Sequence, residues 1–137
     1  MYKNLLVPVD LEHSDQCEKA ITVGVDLAKH YDAGITIVSV AMSGPSAVAR
    51  NPEEFEEKLR AFASEKSAKY DKPIASKVMI SHDPTIDIDD TLRKAATEID
   101  ADLVVMASHV PGFAEYVLAS RAGYLASHSD ISVMVVR

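Results

Sequence analysis

Residues 5–10 read Leu5-Leu6-Val7-Pro8-Val9-Asp10, "LLVPVD". Five apolar residues follow one another and the run stops on a carboxylate. A strand with one wet face would alternate apolar and polar side chains. An unbroken apolar run instead marks a strand covered on both faces, as in a parallel sheet. The segments that follow extend this reading. Ser14 and Asp15 supply N-cap chemistry for a helix through about His30, with Cys17, Ala20, Ile21, Val25 and Ala28 at helical spacing. Ile35–Val40 is a second strand, β-branched nearly throughout.

After a Gly- and Pro-containing loop (Met42–Pro52), Glu53 to about Lys69 reads as a charged helix with the thin apolar stripe Phe55, Leu59, Phe62 and Ala63. Lys77–Ile80 is a short strand expected near a sheet edge. A helix is expected from about Ile88 to Ile99. Leu103–Met106 is the fourth strand, Ser120–Ser127 a helix that Ser120 opens, and Ile131–Val136 the fifth strand. Strand and helix alternate from end to end, which predicts an α/β fold: a doubly wound parallel sheet with helices on both faces, in a single domain over residues 1–137.

Composition narrows the function classes. The net charge is −7, and no stretch concentrates Lys and Arg without interleaved acids, so a nucleic-acid partner is not expected. One cysteine, Cys17, allows neither a disulfide framework nor a cysteine zinc cluster within the chain. It suits a reducing, cytoplasmic setting and reads as buried packing, as Met42, Met79, Met106 and Met134 read as core filler. The apolar run at the N-terminus is too short for a signal h-region, and no run approaches a membrane span, so no membrane insertion is expected.

In doubly wound sheets ligands sit beyond the carboxyl ends of the strands, where the strand order reverses. The segments after strands one, two and four are therefore the candidates. Asp10 there can meet ribose hydroxyls or a metal bridging to phosphates, or can simply cap the next turn. Ser108 and His109 follow strand four. They are neighbours on an extended chain and no G-x-S-x-G surrounds a serine, so they read as lining the cleft and not as a catalytic pair. His13, His30, His82 and His128 lack metal-ligand spacing. Ser120 at a helix start offers a hydroxyl and nearby amides to an anion, or serves as an ordinary N-cap; Arg121 beside it adds a positive charge.

The segments "YKNLLVPVD" (2–10), "DPTIDIDDTLRKAATEIDADLVVMASH" (83–109) and "SVMVVR" (132–137) together resemble the universal stress protein family across nearly the whole chain. The resemblance implies a Rossmann-like five-stranded sheet in the order 3-2-1-4-5, a homodimer formed through the terminal strand 131–136, and, in some members, ATP with magnesium in the crevice between strands one and four. The family loop G-x2-G-x9-G-[S/T] maps here onto Ala107, Val110, Ala119 and Ser120, one residue shorter and without its glycines. The "ASH-x-P" at 107–111 is similar to one subgroup of the family. By resemblance, Pro8, Val9 and Asp10 form the floor, with Asp10 able to meet nucleotide-bound magnesium. Val40 meets adenine, and Met106, Ala107, His109, Ala119, Ser120 and Arg121 surround ribose and phosphates. The expected role is a small regulatory stress-response protein that binds and does not catalyse. Two alternatives are a weak ATP hydrolase or phosphoryl-transfer enzyme, and a protein-interaction module tuning a transporter or regulator through the 42–52 loop and the helix after it.

Overall fold

A computed structural model describes the backbone of residues 1–82, 84–108 and 115–137, and the side chains of 1–82, 89–108 and 122–137. Five strands form one sheet: β1 (Asn4–Pro8), β2 (Gly34–Met42), β3 (Ala75–Ser81), β4 (Leu103–Ala107) and β5 (Ser132–Val136). They are parallel and ordered β3-β2-β1-β4-β5. The helices are α1 (Glu18–Tyr31), α2 (Pro52–Tyr70), α3 (Pro84–Glu98) and α4 (Glu115–His128), with a 3-10 helix over Leu11–Cys17 before α1.

The apolar run that predicted a doubly covered strand is the middle of the sheet. Leu5, Leu6 and Val7 are fully buried. Leu5 and Val7 face a core shared with Ile21 and Val25 of α1 and Leu59 and Ala63 of α2. Leu6 faces the opposite core, with Leu92, Ala95 and Ala96 of α3 and Ala122 and Leu125 of α4. Helix α1 comes close to the sheet at Gly24, where a Cβ would lie 3.0 Å from Val7 Cγ2 and 3.3 Å from Ile35 Cδ1. Cys17 is buried, as its packing role required, and so are Met79 and Met106, whereas Met42 and Met134 stand in solvent near sheet edges.

Several boundaries differ from the sequence expectations. The first α-helix begins at Glu18, because Asp10 caps the preceding 3-10 helix and the capping chemistry of Ser14 and Asp15 is not used to open α1. β3 is the expected edge strand, but pairs with β2 along all seven residues. Helix α3 opens at Pro84 and not at Ile88, since proline suits a first helical turn that needs no amide there. Helix α4 opens at Glu115, so Ser120 is its sixth residue and not its cap. Residues 115–119, Glu-Tyr-Val-Leu-Ala, contain no helix breaker, and Glu115 favours the positive end of the helix dipole. Among the described residues, no helix is long and apolar enough to cross a membrane.

An ionic contact the sequence did not reveal fastens α2 to α1. Glu18 accepts from Lys66 Nζ at 2.7 Å, from Lys69 Nζ at 2.7 Å and from Tyr70 Oη, and Tyr70 Oη also meets Thr22 Oγ1 at 2.9 Å. Partial burial opposes charge on Glu18, but these three donors outweigh it and lower its pKa to about 2. A carboxylate depressed in the folded state stabilises fully above its ordinary pKa, and that stabilisation is lost as pH falls from 4.5 towards 2. Glu18→Gln also leaves the nearly buried Lys66 without a counter-charge. The substitution should cost about 2 kcal/mol at neutral pH. In urea titrations the gap between variant and wild type should narrow as pH approaches 2; equal stability at pH 7 would contradict the account.

Candidate functional site

β1 pairs with β2 at five successive positions, Asn4↔Gly34 to Pro8↔Val38. With β4 it pairs only at Leu5↔Leu103 and Leu6↔Val104. The two strands are clamped at their amino ends. Asp102 Oδ2 accepts from Lys3 N at 2.8 Å, Oδ1 accepts from Asn4 N at 3.1 Å, and Asp102 N donates to Asn4 O at 3.0 Å. Beyond Leu6 and Val104 they part company. β1 keeps to β2, with Val9 N donating to Val38 O at 2.9 Å, while β4 stays with β5 through Met106↔Val135 and Ala107↔Val136. The chain leaving β1 feeds α1 on one face, and the chain leaving β4 feeds α4 on the other. The switch point, where doubly wound sheets take ligands, therefore lies between Pro8–Asp10 and Met106–Ala107.

Five predicted site residues sit at this end of the sheet, on β1 and β4 or just beyond: Pro8, Val9, Asp10, Met106 and Ala107, of which Val9, Met106 and Ala107 are buried. Val40 lies one strand over, in β2, paired with Met79 of β3. Val9 is anchored twice, because its carbonyl also accepts from Ser39 Oγ at 2.5 Å. Ser39 is a buried hydroxyl flanked by Val38 and Val40 in a largely apolar strand, and that was the available signal for it. Among these described residues the crevice holds one carboxylate and no lysine or arginine. His109 and Val110 lie outside the described residues. Ala119, Ser120 and Arg121 lie in α4, with side chains outside the described set. Ser120 is five residues from the helix start, about 7.5 Å along the axis. The unpaired amides of α4 belong to its first four residues, so the helix-terminus argument for an anion at Ser120 no longer applies.

Asp10 is the chemical centre of what remains. Its carboxylate Oδ1 accepts from Glu12 N at 3.0 Å, which is the capping role, and its Oδ2 lies 3.1 Å from His13 Nδ1. His13 was not expected to join the site. Its backbone departs from helical geometry (φ −127°, ψ 43°), and its own amide donates to Asp10 O at 3.1 Å. The hydrogen bond to Asp10 raises the His13 pKa above 6.5, with the charges of Asp10, Glu12 and Asp15 adding to it against desolvation.

Asp10, Glu12 and His13 present donor atoms all within 4.8 Å of one another. An imidazole and two carboxylates suit a transition ion better than magnesium, which takes oxygen ligands and retains water. Of this set only the carboxylates suit the nucleotide-bound magnesium that the resemblance brings to Asp10.

Comparison with known proteins bears on this geometry. The model of the universal stress protein family matches residues 1–137. The chain belongs to the universal stress protein family. A curated relative, Universal stress protein G of Salmonella typhimurium, is 27% identical over 148 residues, covering 100% of both chains. The fold is similar to that of a universal stress protein in complex with cAMP (TM-score 0.70, 19% identity, 99% of this chain and 97% of that one). It is similar also to the Archaeoglobus fulgidus universal stress protein in complex with dAMP (TM-score 0.68, 17% identity, 99% and 98%). At such identities the structural likeness establishes the fold, which has the strand order expected of this family.

The pairing of His13 with Asp10 makes a direct prediction. A histidine raised by a partner stabilises its turn fully below its ordinary pKa and loses that effect as pH rises through the raised value. Asp10→Asn should bring the His13 pKa back towards 6.5 in an NMR pH titration. An unchanged value would show that Asp10 is not the cause.

Proposed function

We propose that this universal stress protein binds an adenine nucleotide in the crevice between the diverging ends of β1 and β4. The observation that carries the reading is the early parting of these two strands beside a half-buried carboxylate, Asp10. That is the place where doubly wound sheets take ligands, and two proteins of the same fold are described with cAMP or dAMP. Asp10 receives a ribose hydroxyl, the Val9–Val40 side takes the base, and the phosphates extend past Ala107; His109, Ala119, Ser120 and Arg121 are assigned to them by the family resemblance alone. ATP, implied by the resemblance, shares the adenine base with these monophosphates. Arg121 is the single cation assigned to the phosphates, whereas phosphoryl transfer calls for dense positive charge, which supports binding over turnover. The single buried thiol, Cys17, suits a reducing compartment, and we take the cytoplasm as the site of action.

The protein acts as a homodimer through β5. This strand is the sheet's free edge next to β4, and its Met134 and Val135 are 39% and 44% exposed. An apolar edge strand left in water invites pairing with another strand, and a second copy supplies one.

Calorimetry should give saturable heats with AMP and with ATP, and Asp10→Ala should weaken both by roughly ten-fold, the loss of a charge-assisted hydrogen bond. No heat and no thermal shift at millimolar nucleotide would remove the reading. Sedimentation should show a dimer at micromolar concentration that Val135→Glu converts to folded monomer; a monomeric wild type would remove the dimer.

A further inference from the structure

The Asp10–His13 contact has a consequence for any ligand of the crevice. Both carboxylate oxygens of Asp10 are already engaged within the chain, Oδ1 by Glu12 N and Oδ2 by the His13 ring. The two contacts are not equivalent. The first belongs to the capped backbone of the 3-10 helix. The second depends on one side chain, with rotatable bonds and 30% of its surface in solvent, brought back over Asp10 by a local kink. Asp10 itself keeps 25% of its side chain exposed, so the pair is open to a competing donor.

We infer that His13 is an internal competitor for the Asp10 carboxylate: in the free protein its ring holds the oxygen that a sugar hydroxyl of an adenine nucleotide would take, and binding releases it. This rests on the nucleotide reading above and adds to it a residue that sets affinity. A hydroxyl donating to Oδ2 replaces one hydrogen bond with another, so the net gain from the sugar is reduced by the contact it displaces. A nucleotide lacking both sugar hydroxyls has nothing to exchange with His13 and gains nothing from its removal. His13 thereby tunes recognition of the sugar and leaves the base and phosphate contacts alone.

The test is AMP titration by calorimetry in metal-free buffer with wild type, His13→Ala, His13→Asn, Asp10→Ala and the Asp10→Ala/His13→Ala double variant. Thermal melts confirm that each folds. His13→Ala should bind AMP roughly five-fold tighter, and His13→Asn, whose amide can still donate to Oδ2, should stay near wild type. The gain should vanish for 2′,3′-dideoxy-AMP and in the Asp10→Ala background, where the double variant should equal Asp10→Ala alone. In the wild type, the His13 ring nitrogen resonances should move on adding AMP as the contact with Asp10 breaks. Equal or weaker AMP binding by His13→Ala would overturn the inference and leave the nucleotide reading standing. Absence of AMP binding by every variant would remove both. Should His13→Ala melt early, unmoved His13 resonances in the AMP-saturated wild type would by themselves overturn the inference.

Discussion

The structure depends on how β1 is held. Its side chains are buried on both faces, so it cannot be an edge and must have a strand on each side. One of those neighbours, β2, follows it along its whole length. The other, β4, is fixed to it at one end by the Asp102 carboxylate reaching two consecutive backbone amides of β1. Parallel strands that share a clamp at one end and feed helices on opposite faces have to separate at the other. The crevice is thus a product of sheet topology before any ligand-binding residue is considered. Pro8, Val9 and Asp10 are where they are because the central strand ends there.

Around that centre the protein relies on few polar contacts, each with a distinct task. The Ser39 hydroxyl fixes the Val9 carbonyl, so the crevice floor is tied to β2 by a side chain as well as by the ladder. The Glu18 carboxylate holds α2 against α1 through two lysine side chains and a phenol, and gives the buried Lys66 its ion-pair partner. Asp10 has the third task, and its own two oxygens divide it: one organises the turn, the other meets His13. A residue that caps a turn and also meets a ligand is economical, since the capped turn fixes the carboxylate near the geometry a ligand requires.

The sequence revealed the centre of the sheet because β1 and β4 are runs of consecutive apolar residues buried on both faces. The ends of the apolar runs marked the candidate segments, and the family resemblance supplied the strand order that places the switch point between strands one and four. The reading weakened wherever two segments meet only in three dimensions. Ser14 and Asp15 carry the side chains of a helix cap, yet Asp10, four and five residues earlier, does the capping because the chain first takes a 3-10 path. Ser120 looked like a helix start for the same local reason, and the good helix formers before it prevailed. His13 had no metal spacing or motif to mark it, and its place beside Asp10 comes from a single non-helical residue. Glu18 and Lys66 lie 48 residues apart in the chain, so no local pattern could join them.

The account's central claim is that the parting of β1 from β4 makes a nucleotide site centred on Asp10. Amide chemical-shift mapping during AMP titration tests this most directly. The account predicts saturable shifts concentrated at Val9, Asp10, Val40 and Ala107, with the Glu18–Lys66 contact between α1 and α2 undisturbed. Shifts centred on another face of the sheet, or none at saturating AMP, would contradict it.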